Sequence, residues 1–158
     1  MIRKIIIPFL IAMGLLVLQI VVLPYIAVKG ILPNILLIYI LFYSLRYGQV
    51  QGMVFAFFVG IIFDYASSEL IGSGMFAFTL AAFVAGYFYK EDFNITLQNI
   101  KLLVFTFLLS ATLFFFSYSV LGSASETKFG YFFFSALSAA YTTLLALIVY
   151  FIPRKNYE

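Results

Sequence analysis

A 158-residue chain with 65% hydrophobic residues, 9% charged residues and a mean hydropathy of +1.14 lacks the polar groups to cover a globular surface. Soluble domains carry roughly 25% charge, so the solvent along the sides of this chain is lipid. The net charge of +3 comes from nine Lys and Arg scattered among apolar runs, which form no phosphate-binding face and exclude a nucleic-acid partner.

The absence of Cys and His removes disulfides, thiol catalysis, zinc sites and His-based proton transfer. Neither a metal nor a cofactor is expected.

Met1-Ile2-Arg3-Lys4 has the look of a basic signal-peptide start. The apolar stretch that follows, Ile5 to Val28, is too long for a signal h-region, and no small-residue cleavage site follows it. It reads as a retained helix over about 5–27, ending near Pro24 and Lys29-Gly30. Further helices are expected over about 32–46, with Pro33 in the first turn, and over 49–66, 72–89, 101–121 and 130–152. The apolar runs are continuous rather than alternating, which argues against strands and a lipid-facing barrel. The expected fold is all-α: one transmembrane domain, a polytopic bundle of about six helices. Helices 2 and 3 are short for a hydrocarbon layer that takes about 20 residues to cross, which implies close hairpin packing or local thinning.

Charge sets the expected topology. With the amino terminus in the cytoplasm, Arg3, Lys4, Arg46, Lys90, Lys101, Arg154 and Lys155 fall inside, and only Lys29 and Lys128 outside. That asymmetry favours an even number of crossings with both termini cytoplasmic. Tyr25, Tyr47, Tyr65, Tyr89, Tyr131 and Tyr150 fall near expected helix ends, where a phenol reaches headgroup depth. The polar segment Lys90 to Lys101 carries Phe93, Leu97 and Ile100 at helical spacing, and reads as an interfacial half-turn or a docking segment.

Residues 33–87 carry the most information. In helix 3, Gly48, Gly52, Ala56, Gly60 and Asp64 recur every fourth residue, a ridge that winds by about 40° per step. Helix 4 has a matching row in Ala77, Ala81 and Ala85, with Ala82 and Gly86 beside it. Such rows let backbones approach closely in membranes, so helices 3 and 4 are expected to cross as a tight hairpin. Asp64 is the one carboxylate inside an apolar segment. It either orders the loop before Gly72, meets a partner subunit, or sits exposed among headgroups. Arg46 reads as a topology anchor or a holder of lipid phosphate or a partner carboxylate, and lies roughly 27 Å from Asp64 along the helix.

The run Pro33-Asn34-Ile35-Leu36-Leu37, Arg46, the Gly52-to-Gly60 helix ending in Asp64, then Leu70-Ile71-Gly72 and Gly86-Tyr87, resembles the MreD family of rod shape-determining membrane proteins. Members have Pro-Asp before an apolar helix, and Asn34 stands here where that Asp is usual. The resemblance covers the chain loosely and residues 33–87 more closely. It implies a non-catalytic subunit of the cell-wall elongation machinery in the bacterial inner membrane. Such a subunit would bind MreC and, directly or through it, MreB filaments and RodA with its partner transpeptidase. It also implies a fold similar to the substrate-binding subunits of energy-coupling-factor vitamin transporters.

Such a transporter subunit is the alternative function. The Ala-x-x-x-Ala pattern those subunits carry on helix 1 is missing here, where only Ala12 and Ala27 occur. Polar candidates for a pocket (Gln19, Ser44, Thr79, Ser110) show no convergence in the sequence. An intramembrane enzyme is disfavoured: aspartyl proteolysis takes two carboxylates, and a serine nucleophile takes an activating base.

Overall fold

Away from water, a backbone with continuous apolar runs satisfies its N–H and C=O groups best within helices, and the described residues are almost all helical. The computed structural model describes residues 3–22, 25, 33–67, 71–89, 100–122 and 128–151. These residues make six helices: α1 (Arg3–Val21), α2 (Ile35–Tyr47), α3 (Gln49–Ser67), α4 (Ser73–Tyr87), α5 (Ile100–Gly122) and α6 (Lys128–Phe151). By length and composition, α3 and α5 are long and apolar enough to cross a membrane, while the others present shorter apolar stretches among the described residues.

Two boundaries differ from the sequence expectation. α1 stops at Val21 rather than near 27. Val22 still donates to the Leu18 carbonyl at 2.9 Å, but Tyr25 donates to Val22 in a tighter i→i+3 bond. Pro24 lacks an N–H and disfavours helical backbone in the residue before it. α2 begins at Ile35, so Pro33 lies outside the helix and not in its first turn. Asn34 takes extended backbone (φ −111°, ψ 95°) and its side chain accepts from the Leu37 N–H, which fixes the helix start after it. Lys29, the loop residues 90–99, and Arg154 and Lys155 lie outside the described residues.

Among the described residues, α2 is the one helix that touches all the others, and α1 packs only on α2 and α3. Leu36, Leu37, Ile40 and Leu41 of α2 are fully buried. α2 and α3 turn about Gly48, whose φ of 91° is left-handed and suits a residue without Cβ. The α2–α3 face is tied by Tyr43 stacked on Phe55, ring centroids 4.2 Å apart. A second aromatic column runs through α3, α4 and α5: Phe63 edge-on to Phe78 at 5.2 Å, then Phe78 to Phe114 at 4.5 Å. Such ring pairs add about 0.5–1.5 kcal/mol beyond area burial, which puts the Phe-rich composition to use in the core.

Large apolar side chains also cover the outside, including Leu10, Val17, Val50, Phe58 and Phe105. A soluble surface does not carry apolar patches on this scale; lipid accommodates them.

Small residues hold α3 against its neighbours on two sides. A Cβ on Gly52 would fall 2.7 Å from Ser44 Cβ of α2, and one on Gly60 2.5 Å from Met75 Cα of α4. Two steps of the four-residue row rotate by about 80°, which turns the ridge from α2 to α4. At the far end of the hairpin, a Cβ on Gly86 would meet the Gln49 backbone nitrogen at 2.8 Å. Ala56, Ala77, Ala81 and Ala85 are all fully buried. By contrast, a Cβ on Gly14 of α1 would meet nothing within 4 Å.

Gly60→Ala is therefore expected to destabilise the bundle by about 1–3 kcal/mol through overpacking against backbone. Gly14→Ala is expected to be neutral or to stabilise by up to about 1 kcal/mol through helix propensity. Thermal unfolding of the two variants in one detergent checks the order.

Candidate functional site

The amino end of α4 is buried at Ser73 and Gly74, with Ser73 only 2% exposed. The first four N–H groups of a helix have no partner within it, and a buried start leaves them without water as well. A local cap is the usual remedy, but the N-cap position is Gly72 at φ 108°, with no side chain to offer. Asp64 of α3 takes its place. Its Oδ2 accepts from Gly72 N at 2.8 Å and Met75 N at 3.0 Å, and its Oδ1 accepts from Gly74 N at 2.8 Å. The carboxylate is 1% exposed, and its charge faces the positive end of the α4 dipole.

The surrounding glycines make this contact geometrically possible. A Cβ on Gly74 would collide with the Asp64 carboxylate and stand 2.9 Å from the Phe63 ring. Gly60, one turn before Asp64, brings the α4 backbone within reach. Ser67 Oγ donates to the Asp64 carbonyl at 3.4 Å, closing the end of α3. The hairpin is tied at its other end by Gln49 Nε2, which donates to the Phe83 carbonyl at 3.1 Å.

The amino end of α2 is held by neutral groups. Leu37 N donates to Asn34 Oδ1 at 2.8 Å, Leu36 N to Gln19 Oε1 of α1 at 3.0 Å, and Asn34 N to Thr142 Oγ1 of α6 at 3.2 Å. Asn34 therefore stands where α2 packs on α6, two residues before the Leu36 tie to α1. It is buried, as is Pro33. Tyr39 adds a tie to α1, its hydroxyl donating to the Pro8 carbonyl at 3.2 Å.

The sequence-derived candidates thus fall at separate places. Asp64 and Gly72 come together with Gly60. Pro33 and Asn34 form the α2 cap. Arg46 is exposed in the last turn of α2 near Gly48, its Cζ 5.9 Å from the Tyr47 ring centroid. The polar side chains weighed as pocket donors are dispersed: Ser44 and Thr79 donate to carbonyls of their own helices, and Gln19 is spent on α2. Ser110 Oγ is buried with no hydrogen-bond partner among the described residues. Gln19, Gln49 and Thr142 as ties between helices, and Gly74 as the seat for the carboxylate, are roles that the sequence expectation does not include. The closely spaced pair Gly72 and Gly74, eight and ten residues after Asp64, is the signal that could have found the last.

A family model described as rod shape-determining protein MreD matches residues 1–157. The chain belongs to the MreD family. Its part in rod-shape determination follows from that membership, as does its character as a membrane protein, which the two long apolar helices fit. The match gives no support to the vitamin-transporter alternative. Comparison with curated proteins and with solved structures gave no significant match.

In this MreD-family chain, Asp64→Asn is not a conservative change. Either amide orientation turns an NH₂ toward backbone N–H donors. Both Asp64→Asn and Asp64→Ala are expected to cost at least about 2 kcal/mol, because buried donors lose an ionised acceptor. Asn34→Ala is expected to cost about 1 kcal/mol as the loss of one neutral cap. Unfolding midpoints of the three variants, converted to free energy, check the ranking.

Proposed function

We propose that this MreD-family protein is a non-catalytic scaffold of the cell-wall elongation complex. It binds an MreC-like protein within the membrane and, directly or through that protein, links MreB filaments to RodA and its partner transpeptidase. The observation that carries this reading is the family match over residues 1–157. The deployment of polar groups supports it: Asp64, Asn34, Gln19 and Thr142 all hold helix ends together. A bundle that spends its polar side chains on its own rigidity suits a platform for other subunits.

The placement that goes with this function is the bacterial inner membrane, crossed six times, with both termini in the cytoplasm. The seven-to-two division of Lys and Arg supports that orientation. The relation of the fold to energy-coupling-factor substrate-binding subunits rests on the family resemblance. Asp64, Gly72, Pro33, Asn34 and Arg46 act in this reading as organisers of the ends that partners meet, and the Gly and Ala rows as the packing that keeps those ends in register.

The test is complementation with co-purification. In a rod-shaped bacterium lacking its own MreD-family protein, the chain, expressed with the MreC-like protein of its own genome, is expected to restore rod shape. The tagged chain is expected to retain that partner through purification. Asp64→Ala is expected to insert normally yet retain less of the partner. Cells that stay round, together with a wild-type chain that purifies alone, would reject the scaffold reading.

A further inference from the structure

The end of the bundle opposite Asp64 carries a different chemistry. Arg46, in the last turn of α2, and Lys101, in the first turn of α5, are both exposed. The carboxyl end of α4 stands between them. The Tyr89 ring lies against Gly48, 3.7 Å from where a Cβ would be, and the Phe88 ring meets Phe105, one turn along α5 from Lys101, at 6.2 Å between centroids. Tyr47, Tyr87 and Tyr89 are exposed by 39%, 76% and 38%. Asp64 is the one carboxylate among the described residues. It lies about 22 Å along α3 from Gln49 and is committed to α4. Neither cation has a carboxylate partner among the described residues. Next to this end, Val50, Val54 and Phe105 present exposed apolar surface.

We propose that this end is a docking surface for anionic phospholipid headgroups. Arg46 and Lys101 hold lipid phosphates, Tyr47, Tyr87 and Tyr89 sit at headgroup depth, and the adjoining apolar side chains meet the acyl chains. Charge complementarity selects the occupant. A guanidinium engages phosphate oxygens through paired N–H bonds and an ammonium acts as a point charge. Phenols take the boundary between headgroup and hydrocarbon. The layering also favours lipid over a protein carboxylate. The two cations stand on separate helices, Arg46 beside the Tyr47 ring and Lys101 one turn from the exposed Phe105, an arrangement that fits a plane of headgroups better than a single acidic side chain. The proposal rests on the membrane character of the family and is independent of the scaffold reading.

The experiment uses the full chain purified in mild detergent and titrated with phosphatidylglycerol or phosphatidylcholine, with bound lipid counted by native mass spectrometry. Wild type is expected to retain phosphatidylglycerol preferentially. Arg46→Gln and Lys101→Gln are each expected to reduce that preference about five-fold, while Arg46→Lys with Lys101→Arg keeps most of it. Unfolding temperature in phosphatidylcholine alone establishes that the variants fold. Should the Gln variants fail that check, wild type titrated with salt decides, since the preference is expected to fall as ionic strength rises. Equal retention of the two lipids by wild type would overturn the proposal. So would an undiminished preference in the folded double Gln variant, or one insensitive to salt. Loss of an MreC-like partner from Arg46→Gln with lipid preference intact would assign the arginine to a protein carboxylate instead.

Discussion

The carboxylate of Asp64 on the amino end of α4 is the contact around which the α3–α4 hairpin is organised. Gly72 adopts a left-handed φ of 108° to turn the chain into α4, and a residue chosen for that freedom brings no capping side chain. The missing acceptor comes from the preceding helix. For a carboxylate on α3 to reach the N–H groups of Gly72, Gly74 and Met75 at the start of α4, the two backbones have to approach with nothing between them. Gly60 and Gly74 leave that space. The small-residue row and the buried Asp64 are thus parts of one arrangement, because the packing brings the charge to its donors and the donors make burial of the charge tolerable.

α2 meets the same constraint with different chemistry. At 13 residues it extends about 20 Å, less than the roughly 30 Å of a hydrocarbon layer. Its amino end, like that of α4, lies within the bundle. Here three neutral acceptors are gathered from α1, α6 and Asn34 itself, in place of one carboxylate. The difference has a mechanical consequence. Asp64 joins two consecutive helices, whereas the cap of α2 joins helices from both ends of the chain and makes α2 the centre of the bundle.

The helices were legible in the sequence because apolar runs separated by charges have one economical conformation in lipid. The close α3–α4 approach was legible because Gly and Ala at every fourth position define a ridge. The start of α2 was misplaced because Pro33 fits a first helical turn as well as the position before a cap; the choice fell to the Asn34 side chain, whose bond to Leu37 is a three-dimensional fact. The reach of Gln19 and Thr142 to α2 was invisible for a similar reason. A single amide or hydroxyl on an apolar helix carries no mark of the backbone N–H it will meet seventeen or more than a hundred residues away. Asp64 was conspicuous as a charge, and ordering the chain before Gly72 was one of its three readings; that its oxygens accept from Gly72, Gly74 and Met75 is a three-dimensional fact.

How a protein so poor in polar groups distinguishes partners follows from where those groups went. Ser44, Thr79, Thr106, Ser117 and Thr143 donate to carbonyls one turn back on their own helices, so these hydroxyls are not offered across an interface. The sides of the bundle then present apolar relief to lipid and to other membrane helices alike, and association there depends on shape, because lipid tails are as apolar as the side chains that meet them. Charge and phenolic hydroxyls are left for the ends. On the scaffold reading proposed above, a membrane partner beside this bundle would be selected by fit along its length and by polar contacts at its ends, a division that depends on the buried caps holding the short helices α2 and α4 in place within the bundle.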